Sequence, residues 1–263
     1  MLGKYVAQVR AKSPLVHNIT NYVTVNDVAN AILAVGASPI MSDEPADVED
    51  ITSICDGLNL NIGTLRMRSI EGMRRAGARA RELGHAILLD PVGAGASGLR
   101  TQTATELLDT VHPTVVRGNV SEIKALVLGS TDTRGVDASA ADAVTDDNLD
   151  QMVAFIESFA ASTGATVAIT GAIDLVADAD RCYVIRNGRP EMSSITGTGC
   201  MLSGISTAFA AANPDDVTSA VAAAVAAMGL AGQIGCSHLA PYEGNATLRN
   251  RIIDALYHMD AAT

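Results

Sequence analysis

Short runs rich in Val, Ile and Leu alternate with longer stretches whose apolar residues recur every three or four positions, and this alternation constrains the fold most. The β-type runs are Leu15 to Ile19, Ser38 to Met41, Leu58 to Ile62, Ala86 to Asp90, Thr114 to Arg117 and Thr166 to Thr170. Between them, Val25 to Val35, Leu65 to Leu83, Thr103 to Val111 and Glu122 to Leu128 carry the helical spacing. Such βαβ steps predict an α/β fold with a mostly parallel sheet, helices on both faces and ligand groups at the carboxyl ends of the strands. Further on, Asp174 to Asp178 and Arg181 to Arg186 read as neighbouring strands, and Arg186-Asn187-Gly188-Arg189 carries a turn signal into the next loop. Antiparallel strands are therefore expected to finish the sheet. From Thr198 onward the chain reads as helical, with breaks at Asn213-Pro214 and around Ser237 to Gly244. No linker or repeat interrupts the sequence, so one domain over residues 1–263 is expected.

Composition narrows the function classes. With 48% hydrophobic and 18% charged residues over 263 positions, the chain has the make-up of a packed core. No Trp and only three Phe leave that core to aliphatic residues, which suits a sheet covered by helices. A formal charge of −11 repels phosphate backbones and anionic lipid, which argues against a general nucleic-acid or membrane binder. The acidic excess concentrates in stretches such as Asp132 to Asp150, and only Lys4, Lys12 and Lys124 are lysines. That balance would also suit a salty cytoplasm, although this charge is common without one. The N-terminal segment is too polar for a signal peptide, and the apolar stretch Val217 to Gly235 is Ala-rich and broken by Gly229 and Gly232. A core helix and a cytoplasmic protein are expected. Cys55, Cys182, Cys200 and Cys236 lie far apart without CxxC spacing, which does not suit a disulfide framework or a zinc site.

Four segments carry candidate chemistry. Ser194 to Gly204 (SITGTGCMLSG) is a glycine-spaced loop running into an apolar helix, so the first-turn amides, Thr198 and Gly199 among them, can form an anion hole. Cys200 falls in that turn, where the helix field should lower its thiol pKa and favour thiolate. Composition alone does not separate this from a buried small-residue helix start with Cys200 as filler. Asp90-Pro91-Val92-Gly93-Ala94-Gly95-Ala96-Ser97-Gly98 ends a strand on a carboxylate. Its Gly93, Gly95 and Gly98 match GxGxxG, but Pro91, the late place in the chain and a helical periodicity that begins only near Thr101 count against a dinucleotide loop.

Arg117-Gly118-Asn119-Val120-Ser121-Glu122 follows the next strand. It reads as a capping-box variant, with Glu122 reaching back to the Asn119 amide and Arg117 facing solvent. The second reading pairs Asp90 and Glu122 at neighbouring strand ends as holders of a hydrated Mg2+ with substrate phosphates. His17 to Asp27 (HNITNYVTVND) gathers uncharged hydrogen-bonding groups fit for a small polar heterocycle, or merely caps a helix through Thr24 or Asn26. Met41 could wall the same ligand or belong to the core. His85, His112, His238 and His258 show no metal or triad spacing, and neither GxSxG nor a Walker-type loop occurs.

Taken in order, HNITNYVTVNDVAN, GASPIMSDEPADVED, LNLNIGTL, LLDPVGAGA, VVRGNVSEI, VAITGAIDLV and TGTGC resemble the hydroxyethylthiazole kinase family from about Ser13 to Arg251. The resemblance implies a ribokinase-like three-layer fold and transfer of the ATP γ-phosphate to the hydroxyl of 4-methyl-5-(2-hydroxyethyl)thiazole, with Mg2+ as cofactor. It implies thiazole contacts at Met41, Gly197 and Asn21, and ATP contacts at Arg117 and Thr170. Asp90 and Glu122 match acidic positions associated with Mg2+ and phosphates, and Cys200 takes the place where many ribokinase-like enzymes carry Asp, as base or as positioning group. A homotrimer with the thiazole site near a subunit boundary is implied as well. Ala172, where the family often has an acid, and the loop Asp132 to Asp147 depart from the pattern. Two competing classes are a kinase of another small alcohol, such as hydroxymethylpyrimidine, and a nucleotide sensor that has lost its chemistry.

Overall fold

The structure, a computed structural model, describes residues 2–129 and 143–263; residues 130–142 of the Asp-rich stretch lie outside the described residues. Among the described residues, eight strands form one sheet in the order β2-β1-β3-β4-β5-β6-β7-β8. They are β1 (Leu15–Ile19), β2 (Ser38–Met41), β3 (Gly57–Asn61), β4 (Ala86–Asp90), β5 (Val115–Gly118), β6 (Thr166–Ile169), β7 (Asp174–Ala177) and β8 (Cys182–Ile185). All pairs from β2 to β6 are parallel, and β7 and β8 add antiparallel strands, as the sequence predicts.

Alternation of side chains along the strands divides the core into two layers. Val16, Leu88, Val115, Ala168 and Val176 pack under α1 (Leu2–Lys12), α2 (Val25–Ala34), α8 (Thr198–Ala212), α9 (Val217–Ser237) and α10 (Asn245–His258). Leu58, Leu60, Leu89, Val116, Val167 and Ile169 pack on the other face under α3 (Val48–Ile54), α4 (Met67–Leu83), α5 (Gly98–Val111), α6 (Val120–Gly129) and α7 (Leu149–Thr163). Fully buried Phe209 and Phe159 sit in the two layers, each contributing about 2–3 kcal/mol through the apolar area it removes from water. α9 is long and apolar enough to cross a membrane, yet it packs against α8, α10 and β6 to β8 with most of its length buried, as a core helix.

The strand order reverses between β2-β1 and β3, so β1 and β3 diverge into loops on opposite sides of the sheet. A crevice at the carboxyl ends is the geometric consequence. β1 delivers the HNITN segment to it, β3 ends on Asn61, β4 on Asp90 and β5 on Arg117-Gly118. α8 contacts β3, β4 and β5 and begins at this same edge.

Candidate active site

Asp90 lies at the centre of the crevice with no exposed surface. Its Oδ2 accepts hydrogen bonds from Asn61 Nδ2 and Ser203 Oγ, each at 2.7 Å, and faces the Arg117 guanidinium at 3.6 Å. Burial pushes its pKa from the ordinary 3.8 up to about 6, and the nearby Glu122 charge pushes the same way, while Arg117, Ser203 and Asn61 pull it down. Asp90 Oδ1 and Arg117 Nε are buried without a hydrogen-bond partner. Among the described residues a carboxylate oxygen and a guanidinium N–H are thus left open to a ligand.

The first turn of α8 caps this cluster. Gly197 precedes it at φ 91°, and a Cβ there would overlap the Thr24 side chain. A Cβ on Gly199 would lie 2.6 Å from an Arg117 guanidinium nitrogen, so the absent side chain is what lets the cation pack against the helix start. Arg117 also donates to Thr170 Oγ1 at 2.5 Å. Cys200 is 7% exposed and takes a hydrogen bond from Asn61 Nδ2 at 3.3 Å. The sequence reading of a thiol driven toward thiolate is corrected. Burial and the Asp90 charge push the Cys200 pKa upward, and the smaller pull of Thr24, Asn61 and Arg117 does not reverse it.

Glu122 does form the capping box: its Oε2 accepts from the Asn119 amide and the Asn119 side chain accepts from the Glu122 amide, both at 2.8 Å. The other half of that reading fails, because the Arg117 side chain is only 12% exposed and turns inward to Asp90. Glu122 Oε1 also takes the Gly93 amide at 2.9 Å, tying the DPVGAG loop to the next strand end. In that loop Gly95 N–H is spent on Thr101 Oγ1, so Gly93 and Gly95 offer no free amide cradle for a dinucleotide. α5 begins at Gly98 with Ser97 as its N-cap, earlier than the periodicity near Thr101 indicates. Thr24 precedes α2 without making a side-chain cap.

Arg100 escaped the sequence reading. Its guanidinium donates to the carbonyls of Ile62, Val92 and Gly63 at 3.0, 2.8 and 2.9 Å, clamping the loops after β3 and β4 together. Arg100→Met keeps the stem but frees three carbonyls, and is expected to cost about 2–3 kcal/mol. Calorimetry should show the Tm falling by roughly 5–10 °C; a fall below about 1 °C would contradict the clamp.

Two groups of residues meet at the α8 start. On one side a cleft of about 720 Å3 is lined by Arg117, Asn119, Thr170, Asp174, Thr198 and Gly199, with Leu202, Val225 and Met228 as apolar wall. Asp174 lies at its rim, its pKa pushed up to about 6 by burial although the Gly171 amide and Arg117 oppose this. On the other side lie Cys200, Thr24, Asn21 and Gly63, since a Cβ on Gly63 would approach Asn21 Nδ2 at 2.7 Å. Met41 ends β2 in register with Asn18 and packs against the core layer that contains Cys200. Asp90, Arg117, Thr170, Gly197, Gly199, Cys200 and Asn21 are therefore brought together around the α8 start, with Met41 at the end of the edge strand β2 beside β1. Sequence reading missed Asn61, Ser203 and Arg100, whose partners lie far along the chain. Among the described residues no cluster of three or more His, Cys, Asp or Glu side chains forms a metal site.

Comparison with known proteins agrees with this geometry. The profile of the "Hydroxyethylthiazole kinase family" matches residues 6–262. The chain belongs to the hydroxyethylthiazole kinase family. A hydroxyethylthiazole kinase of Clostridium acetobutylicum is 54% identical, over 99% of this chain and 95% of its own. The solved structure of hydroxyethylthiazole kinase protein from Pyrococcus horikoshii OT3 superposes with a TM-score of 0.86 at 34% identity, covering 98% of this chain and 93% of that one. A ribokinase-like superfamily protein from Enterococcus faecalis V583 superposes with a TM-score of 0.62 at 13% identity over 96% and 89% of the two chains, which shows the shared fold alone. The hydroxyethylthiazole kinase fold is thus the three-layer ribokinase-like architecture expected from the motifs.

Proposed function

We propose that the protein transfers the γ-phosphoryl group of ATP to the hydroxyl of 4-methyl-5-(2-hydroxyethyl)thiazole, giving the thiazole phosphate and ADP, as a cytoplasmic step of thiamine biosynthesis or salvage. The observation that carries this reading is the α8 start, where a nucleotide-sized cleft opens beside the buried Asp90–Arg117 pair and the polar side chains of Asn61 and Thr24 cluster on Cys200 and Gly197. Leu202, Val225 and Met228 suit the adenine, and Arg117 and Thr170 lie where the phosphates would run toward α8. The amides of Thr198, Gly199 and Cys200 then face the migrating phosphoryl group with the positive end of the helix dipole. Arg117 Nε, without a hydrogen-bond partner among the described residues, is a further donor for its developing charge.

Acceptor binding falls to Asn21, Met41, Gly197 and Cys200. Asn21 has spent its Oδ1 on the Val23 amide at 3.0 Å, which leaves the amide nitrogen to donate to a ring heteroatom. Cys200, kept as a thiol, orients the alcohol instead of deprotonating it strongly; phosphoryl transfer through a loose transition state asks mainly for alignment. Asp90 and Glu122 would hold a hydrated Mg2+, and the unpartnered hard oxygen Asp90 Oδ1 fits such an ion. When bound, Mg2+ neutralises phosphate charge. Tyr22 and Val23, 59% and 61% exposed beside Asn21, form an apolar patch that a neighbouring subunit of a homotrimer would cover.

A coupled ADP-release assay with the thiazole alcohol, the pyrimidine alcohol and no acceptor tests the reading. Turnover is expected with the thiazole alcohol well above the other two. Preference for the pyrimidine alcohol would move the protein to another small-alcohol kinase, and no turnover with any acceptor would favour the nucleotide sensor.

A further inference from the structure

We propose that Asn61 is a positioning residue for the transfer, aiming the Cys200 sulfur at the acceptor hydroxyl while it holds Asp90 in place. This deepens the functional reading above and rests on it. Asn61 ends β3 directly opposite Asp90 on β4 and is 1% exposed. Its side chain has one acceptor and two donor hydrogens, and each has a defined use. Oδ1 takes the Gly63 amide at 2.9 Å, which fixes the orientation of the carboxamide. The two hydrogens on Nδ2 must then point to Asp90 Oδ2 at 2.7 Å and Cys200 Sγ at 3.3 Å.

The consequence falls on the sulfur. Thr24 Oγ1 donates its hydrogen to the Asn21 carbonyl at 3.2 Å, so the defined hydrogen bond that holds the sulfur is the one from Asn61 Nδ2. With one sulfur lone pair taken by the Asn61 hydrogen, the other is left for the acceptor's O–H. A hydroxyl that donates to this sulfur turns its own oxygen lone pairs away from it, toward the helix amides where the γ-phosphorus would lie. Asn61 thereby sets the angle of attack without touching the acceptor, and its Asp90 hydrogen bond ties that angle to the phosphate end of the site. Leucine at position 61 would fill similar space, yet supply neither hydrogen.

A double-mutant cycle on kcat tests this. Wild type, Asn61→Leu, Cys200→Ala and the double variant are assayed with ATP and the thiazole alcohol, with Tm recorded for each. Asn61→Leu should lower kcat about thirtyfold with the KM for ATP within about twofold, and in the Cys200→Ala background it should change kcat by at most about threefold. Equal losses in both backgrounds would overturn the proposal, as would a silent Cys200→Ala protein, which would make the sulfur indispensable instead of an aiming group. If Asn61→Leu does not fold, Asn61→Ser, which keeps a single donor, enters the same cycle with the same expected non-additivity. Wild-type turnover of the thiazole alcohol is the first leg: its absence would sink the functional reading and this proposal together, whereas additive losses beside intact wild-type turnover would sink the proposal alone.

Discussion

Arg117→Met is expected to lower kcat about a thousandfold, close to 4 kcal/mol of lost transition-state stabilisation. Among the described residues the guanidinium is the one cation that reaches both the nucleotide cleft and Asp90, and its Nε has no hydrogen-bond partner there. The same substitution alters the pH dependence of stability in a defined direction. Asp90 titrates near 6 in the folded protein against an ordinary 3.8, so the folded state binds the proton more tightly and stability falls as pH rises between those values. Above about 6 the wild-type contribution is flat. Removing Arg117, which lowers the Asp90 pKa, moves the folded value higher, so the variant should keep losing stability above that pH. Thermal unfolding from pH 6 to 8 should therefore show the Tm gap between wild type and variant widening; a constant gap would contradict the pairing.

Gly199→Ala should be nearly as damaging to catalysis and far gentler to the fold. The added Cβ meets only the tip of the Arg117 side chain, at 2.6 Å from its nearest nitrogen, and that flexible tip can swing into the cleft. Alanine is also a better helix former than glycine, by about 1 kcal/mol. We expect kcat to drop about a hundredfold or more with Tm unchanged or slightly raised, because the displaced guanidinium no longer faces the phosphoryl group. In combination with Arg117→Met the alanine should add little, since the group it displaces is gone. A fully active Gly199→Ala enzyme would show that close packing of Arg117 on α8 is not needed.

Much of this architecture was legible because it is written locally. The strands of the parallel sheet announce themselves as short aliphatic runs ending in polar residues, and the observed β1, β2 and β4 coincide with the expected segments. Helices α1, α3 and α7 were not anticipated. In α7, Met152, Phe155, Ile156, Phe159 and Ala160 make a clear buried stripe, but it follows directly on an acidic stretch that draws the eye to a loop. In α1 the buried Tyr5, Val6 and Val9 are diluted by polar neighbours.

The site divides the same way. The glycine-spaced helix start, the strand-end carboxylates and the Asn119–Glu122 box are each contained in a few consecutive residues. Asn61 meets Cys200 across 139 positions and Ser203 meets Asp90 across 113, and no periodicity announces such pairs. Cys200 shows the limit most clearly: the helix field that lowers a thiol pKa is visible in sequence, whereas the burial and the Asp90 charge that outweigh it exist only after folding.

The central claim is that amides at the α8 start and the Asp90–Arg117 pair grip a phosphoryl group passing from ATP to an alcohol held beside Cys200. Crystals grown with a non-hydrolysable ATP analogue, Mg2+ and the thiazole alcohol would test it directly. The account predicts the γ-phosphate within hydrogen-bonding distance of the Gly199 or Cys200 amide and of Arg117, with the alcohol oxygen on the Cys200 side. A γ-phosphate bound away from α8, or an alcohol on the far side of the nucleotide from Cys200, would contradict it.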